Sequence, residues 1–248
     1  MIETRNLVKS FGAQRVLDGV NLCIREGESV VIIGRSGGGK SVLLKHLVAL
    51  IRPDSGEVII DGASIVPMNE RQLLEVRHKF GMLFQGAALF DSMTVAENVG
   101  FALRRERNLT ISDRNRRVSE ALEMVDLPGT EGKKPSELSG GMRKRVGLAR
   151  AIVYRPEIVL YDEPTTGLDP IVSDSIDQLI VRVRDRLNVT SVVVTHDMRS
   201  ARRVGQRILM LHQGKIYAEG TPDDIFSSMD PVVYNFVNGI SEKEEILT

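Results

Sequence analysis

The sequence has one cysteine, no tryptophan and no surplus of either charge. Cys23 is the single thiol in 248 residues, which excludes an internal disulfide and a cysteine-held metal cluster. It alternates along the chain with Val20, Leu22 and Ile24, and is expected to be a small core residue. Lys plus Arg and Asp plus Glu each total 33, so the formal net charge is zero. That argues against a nucleic-acid partner held by a broad basic field. No apolar run approaches the ~20 residues a membrane span needs. Met1-Ile2-Glu3-Thr4-Arg5 does not read as a signal peptide. The expectation is a cytosolic chain whose membrane contact, if any, comes through a partner. There is no internal repeat and no low-complexity linker. With 42% hydrophobic and 27% charged residues, the composition is that of a globular protein with enough length for a proper core.

What is present begins with Gly34-Arg35-Ser36-Gly37-Gly38-Gly39-Lys40-Ser41, which fits the phosphate-binding pattern G-x-x-x-x-G-K-[ST]. The apolar run Val30-Val31-Ile32-Ile33 reads as a buried strand leading in. Leu43, Leu44, Leu47, Leu50 and Ile51 recur at helical spacing behind it. Glycines let the loop curl with its N–H groups inward, and the helix N-terminus adds about half a positive charge. Lys40 can then reach the β- and γ-phosphates of a nucleotide, and the Ser41 hydroxyl can ligand Mg²⁺. A bare Gly-rich turn would explain the glycines but not the strand, the Lys-Ser pair and the helix together. The stretch predicts a nucleoside triphosphate site.

Ile158-Val159-Leu160-Tyr161-Asp162-Glu163 is an apolar strand ending in two carboxylates. In a parallel sheet the C-terminal strand edge is where ligands bind. Asp162 there can hold Mg²⁺, usually through water. Glu163, pointing elsewhere, can orient or deprotonate a water aimed at the γ-phosphate. Val192-Val193-Val194-Thr195-His196 repeats the arrangement, and its histidine is expected at the γ-phosphate. A lone histidine is usually structural, and His46, His78 and His212, lacking such placement, are assigned nothing. Gln85 ends another strand, Phe80 to Phe84, at the same edge, where a γ-phosphate or Mg²⁺ contact could move the segment that follows. Ala87, Ala88, Leu89, Phe90 and Met93 make that segment apolar where a loop would be polar, which marks a partner surface unless the side chains tuck under their own domain.

Between Gln85 and Ile158 the pattern is helical. Thr94-x-x-Glu97 reads as a capping box, and Val118, Ala121, Leu122 and Val125 form an apolar stripe. Ser139-Gly140-Gly141 opens a helix with Met142, Val146, Ala149 and Val153 on one face. A small hydroxyl, two glycines and a fresh helix N-terminus make a second anion site, although such a triplet is more often a turn with Ser139 as N-cap. One nucleotide and two phosphate-binding ends suggest that the second serves a neighbouring molecule. Asp169-Pro170 starts a helix with Ile176, Leu179, Ile180, Val183 and Leu187 inward, and a hairpin turns at Gln213-Gly214. Strands alternating with helices predict an α/β fold with a mostly parallel sheet.

These pieces, in this order, resemble an ABC-type ATPase over nearly the whole chain. The phosphate loop, Gln85, Leu138-Ser139-Gly140-Gly141, Asp162-Glu163, Gly167-Leu168-Asp169 and His196 are similar to its Walker A, Q-loop, signature, Walker B, D-loop and switch-histidine motifs. The resemblance implies a phosphate-loop fold with a RecA-like sheet, an antiparallel β subdomain and an inserted helical subdomain. The corresponding division is 1–85 with 156–220 as core, 86–155 as helical subdomain and 221–248 as tail of one domain spanning 1–248. It also implies ATP and Mg²⁺, with Ser41, Gln85 and Asp162 toward the metal and Phe11 stacking on adenine. A head-to-tail homodimer would place each signature on the partner's phosphate loop. Met142 stands where the commonest signature has glutamine, and a thioether cannot hydrogen-bond ribose.

Three stretches are similar, more narrowly, to the ATPases of MCE-type lipid transporters: Gly81 to Val95, Leu138 to Val146 and Leu160 to Pro170. That likeness implies a peripheral subunit on the cytoplasmic face of a bacterial inner membrane. Its partners would be an MlaE-type permease, a periplasmic MCE-domain protein and a small STAS-domain subunit. The alternative is an importer for another small substrate such as an amino acid. An ABC protein acting on ribosomes or DNA would carry a duplicated half, a coiled-coil insertion or a basic surface. A module without turnover would not keep Lys40, Asp162, Glu163 and His196 together. In the tail, Thr221-Pro222-Asp223-Asp224 starts one helix, and Val233, Phe236 and Val237 form an apolar face expected to reach a neighbouring subunit. Glu242-Lys243-Glu244-Glu245 is expected to be solvated.

Overall fold

The computed structural model describes residues 1–106 and 108–241, so the acidic end Glu242-Lys243-Glu244-Glu245 lies outside the described residues. The chain runs β1 (Ile2–Phe11), β2 (Gln14–Ile24), β3 (Ser29–Ile33), α1 (Lys40–Leu47), β4 (Ser55–Ile60), β5 (Ala63–Ser64), α2 (Glu70–Arg77) and β6 (Phe80–Leu83). There follow α3 (Val95–Val99), a 3₁₀ turn at Ala102–Arg105, α4 (Ile111–Met124) and α5 (Gly140–Ile152). The chain then continues through β7 (Ile158–Asp162), α6 (Pro170–Leu187), β8 (Thr190–Thr195), α7 (Met198–Val204), β9 (Arg207–His212), β10 (Lys215–Gly220), α8 (Pro222–Phe226) and α9 (Pro231–Val237).

The strands form two sheets. One is four-stranded and antiparallel, ordered β2-β1-β4-β5; the other is six-stranded, ordered β10-β9-β3-β8-β7-β6, parallel except at the β10 edge. The expected α/β architecture is therefore present, with its antiparallel companion sheet. Central strands buried on both faces read as unbroken apolar runs, and the pleat sends alternate residues to opposite sides. Val30, Ile32, Leu160, Val192 and Val194 join one core with α1 and the antiparallel sheet. Val31, Ile33, Val159, Tyr161 and Val193 join another core with the helices. That alternation decides the site, because Asp162 falls in the even series and so points toward α1.

Local signals hold where sequence chemistry is self-contained. Thr94 and Glu97 close a capping box at α3, and the Asp169 carboxylate accepts the N–H groups of Ile171 and Val172 at α6. Two expectations fail. Cys23 is exposed, because residues alternating with buried Leu22 and Ile24 belong to the outer face of β2. The tail face does not reach outward. Val233 is buried, and Phe236 and Val237 pack against the same core as Met210 and Ile225. The short α9 is held by its own domain, with Tyr234 and Ile240 left exposed.

Candidate nucleotide site

Register brings the chemistry together. Ile33 pairs with Thr195, Asp162 with Val194, and Leu83 with Tyr161, so β3, β6, β7 and β8 end level with one another. The phosphate loop, Asp162-Glu163, His196 and Gln85 consequently leave the sheet at one edge, as a parallel sheet requires of a ligand site.

The phosphate loop fits tightly against its surroundings. Gly39, with φ of 96°, precedes α1, and a Cβ there would stand 2.9 Å from Val16 Cγ1. A Cβ on Gly34 would stand 2.4 Å from the carbonyl oxygen of Leu211. Only glycine fits either place. Lys40 is buried, and its ammonium donates to the carbonyls of Gly34 at 2.8 Å and Arg35 at 3.1 Å. Ser41 Oγ donates to Asp162 Oδ1 at 2.6 Å, joining the first helix to the end of β7.

Glu163 lies at the centre. Its backbone turns left-handed, φ 49°, so its side chain leaves the alternation of β7. The Glu163 N–H donates to Val194 O at 3.0 Å. Its Oε2 sits 2.9 Å from His196 Nδ1 and accepts the Thr166 hydroxyl at 3.1 Å, while Oε1 lies 3.5 Å from Lys40 Nζ. Glu163 is buried, whereas the His196 ring is about half exposed at the mouth. Lys144 on α5 donates to the Glu163 carbonyl at 3.1 Å and to the Gln85 carbonyl, and burial pushes its ammonium pKa down.

The other candidates lie around this cluster. Phe11 ends β1 at about half exposure with the Lys9 ammonium 5.5 Å from its ring centroid. Its neighbour strand β2 supplies the Val16 that crowds Gly39. Arg35 lines a small cavity with His212, Asn235 and Phe236, so α9 approaches the phosphate loop. Ser36, Gly37 and Gly38 complete the loop, closed by a Gly38 N–H bond to Arg35 O of 3.0 Å. The Gln85 side chain is exposed. Ser139 is exposed and caps α5 by accepting the Met142 N–H at 3.2 Å; Gly140 and Gly141 pack beside Leu168 and Val172. The signature triplet therefore opens a helix packed on β6, α3, α4 and α6.

Sequence reasoning passed over Thr166 and Lys144. Thr166 gave no signal, being one hydroxyl in a turn. Lys144 gave one: it falls at helical spacing with Gly141, Gly147, Leu148 and Ala151, all buried, so it is a lysine on an inward stripe.

A phosphate loop, a carboxylate pair and a histidine at level strand ends, with an inserted helical block, define an ATP-binding cassette that hydrolyses ATP. The family described as ABC transporter matches residues 17–166. The chain belongs to that family, as the ATP-binding subunit of a transporter. A probable ribonucleotide transport ATP-binding protein, Mkl, of Mycobacterium leprae is 43% identical over 96% of this chain and 69% of that protein. The intermembrane phospholipid transport ATP-binding protein MlaF of Haemophilus influenzae is 39% identical, over 98% of this chain and 92% of its own length. A methionine import ATP-binding protein, MetN, of Carboxydothermus hydrogenoformans is 40% identical over 98% of this chain and 73% of that protein. Among solved structures, a dimeric ATP-binding cassette in a post-hydrolysis state with ADP and Pi superposes with a TM-score of 0.82 at 36% identity. That match covers 90% of this chain and 99% of the other. Cassettes of this family work as dimers with membrane permeases. Among the described residues no helix is long and apolar enough to cross a membrane.

Proposed function

We propose that this chain drives a bacterial phospholipid transporter of the Mla type from the cytoplasmic face of the inner membrane. The observation carrying the catalytic half is the Glu163 carboxylate held between His196, Thr166 and Lys40 at the rim of the phosphate loop. In the proposed reaction Lys40 and the loop N–H groups bind the β- and γ-phosphates. Glu163 takes a proton from the attacking water as its oxygen bonds to phosphorus and the bond to the ADP oxygen breaks. His196 contacts the γ-phosphate and orients Glu163. The oxygen donors of Ser41 and Asp162, 2.6 Å apart, suit a hard cation, and with the nearby Gln85 they would hold Mg²⁺. That ion would neutralise phosphate charge. Phe11 takes adenine, and Ser139, Gly140 and Gly141, at the N-terminus of α5 with Ser139 exposed, take the partner's phosphates in a head-to-tail homodimer.

The lipid half rests on the likeness to MlaF, whose length the chain matches across 92%. On that reading the partners are an MlaE-type permease, an MCE-domain protein and a STAS-domain subunit. The permease would dock at the segment after Gln85, where the exposed Phe90 and Phe101 rings meet at 4.8 Å, tilted by 44°, and Phe101 lines a cavity with the exposed Leu74. Ala87 is no part of that surface, since it is buried beneath Gly147. The likeness to MetN favours a second reading, an importer of an amino acid. Purifying the chain with its membrane partners and measuring ATP turnover in phospholipid nanodiscs and with methionine separates the two. Co-purified MCE and permease subunits support the first; methionine-stimulated turnover with a solute-importing permease replaces it.

A further inference from the structure

Lys144 is one of the few charged side chains in the core, and no role described above uses it. Its ammonium has two acceptors, the backbone carbonyls of Gln85 and Glu163, on loops that leave β6 and β7. Ser139, five positions earlier, caps the helix that carries it.

The Gln85 segment is held to that same helix along its length. Arg150 donates one guanidinium nitrogen to Ala87 O and another to Ala88 O, each at 2.6 Å. Ala87 and Ala88 both have left-handed backbones, with φ of 59° and 49°. Two consecutive alanines rarely rest there unless something outside them fixes the turn. Gly147 allows the close approach: a Cβ on it would lie 2.8 Å from Leu83 Cδ1 and 3.2 Å from Ala87 Cβ. At the other acceptor, Glu163 is likewise left-handed, its N–H on Val194 O and its carbonyl shared between Lys144 and Thr166 N–H.

We propose that Lys144 is a positioning residue that ties the backbone of Glu163 to that of Gln85, so that the segment expected to meet the permease sets the aim of the catalytic carboxylate. The inference rests on the reading of Glu163 as the base. A buried ammonium deprived of either carbonyl keeps its desolvation cost without its hydrogen bond, so the two loops move together. A displacement of the 85–88 segment with α5 then carries the Glu163 main chain, whose side chain must stay within hydrogen-bond reach of the attacking water.

The test uses the full chain with Lys144→Met, Lys144→Gln and Glu163→Gln, each measured for kcat, KM for ATP, ATP affinity and thermal midpoint. Lys144→Met keeps the length of the side chain and removes the charge and both donors. A misplacement near 1 Å is enough for a loss of about 10- to 100-fold in kcat, with KM and affinity unchanged within about twofold. Its midpoint should change little, because the charge that burial penalises is lost together with the two hydrogen bonds that offset it. Lys144→Gln restores one donor and should recover part of kcat. A structural role alone would lower the midpoint and leave the kcat-to-KM balance intact, and that outcome overturns the proposal. Should the methionine variant fail to fold, Lys144→Gln carries the test, and parental kcat in it refutes the tie. If Glu163→Gln turns over at the parental rate, the reading of Glu163 fails. If it is inactive while Lys144→Met is parental, only the tie fails.

Discussion

Replacing Glu163 by glutamine separates binding from chemistry, and the contacts set the magnitudes. Glutamine has the same shape. With its amide oxygen in the place of Oε2, it can still accept from the Thr166 hydroxyl 3.1 Å away and meet His196 Nδ1 at 2.9 Å. The left-handed backbone is held by Val194 O and Lys144, which the substitution leaves in place. The fold should therefore survive with little change in thermal midpoint. Loss of a general base costs about 10²- to 10⁴-fold in kcat, roughly 2.7–5.4 kcal/mol of barrier. Binding should respond in the opposite sense. Lys40 lies 3.5 Å from Oε1, a gross attraction of about 5 kcal/mol at an effective dielectric of 20, most of it offset by desolvation of the buried pair. Releasing Lys40 from that carboxylate should tighten ATP binding by about 1 kcal/mol, or a few-fold. Steady-state phosphate release and a fluorescent-nucleotide titration measure the two halves. ATP should also hold the variant in the closed dimer, seen as a mass shift on sizing. Turnover at the parental rate would refute the role of Glu163, and a loss of ATP affinity would show that the carboxylate serves the ground state.

Lys40→Ala should weaken ATP binding about ten- to a hundredfold, as expected for one charge-assisted hydrogen bond of roughly 1.5–3 kcal/mol, and unchanged affinity in a titration would remove Lys40 from the site. Ser139→Arg should abolish turnover without touching the chain's own phosphate loop; mixing it with Lys40→Ala should return partial activity, and a Ser139→Arg chain of normal rate contradicts action in trans. Phe90→Asp removes an aromatic pair worth about 0.5–1.5 kcal/mol. Its backbone stays held by Asn98 at 2.8 and 3.1 Å, so the chain should fold yet fail to co-purify with the permease. Loss of soluble protein would instead mark Phe90 as core. Asp177 is buried, with Oδ2 on the Ser200 hydroxyl at 2.8 Å and Oδ1 without a partner among the described residues, and burial raises its pKa from 3.8 to about 6. Between those values the folded chain holds a proton the unfolded chain has lost, so stability falls as pH rises from about 4 to 6 and then levels. Asp177→Asn should therefore be more stable than the parent by about 1–3 kcal/mol at pH 7–8, with the gap closing near pH 4; a gap independent of pH in chemical denaturation would exclude this titration.

Residues 34–41 carry their own answer in the chain, because glycine, lysine and serine at that spacing meet one chemical need within a single strand, loop and helix. The same holds for Thr94 with Glu97 and for Asp169 with Pro170, whose partners sit within three positions. Apolar runs at β3, β7 and β8 were legible as buried strands for a similar reason, since a parallel sheet covered on both faces keeps water from the middle of its strands. The fold class followed from their alternation with helices.

What depended on partners far along the chain was decided by tertiary structure. Asp162 meets Ser41 across 121 positions, and only the level register of β3, β8 and β7 makes that contact. Cys23 could be placed beside an apolar series by sequence, but which face of β2 is inward depends on the sheet it covers. The apolar α9 face, expected to reach a neighbouring subunit, packs instead on the core around Met210 and Ile225. Lys144 stood in plain view as a lysine on a buried stripe. Its meaning came from two carbonyls, 59 positions before it and 19 after, because a backbone acceptor has no signature in sequence and exists for a side chain only once the chain is folded.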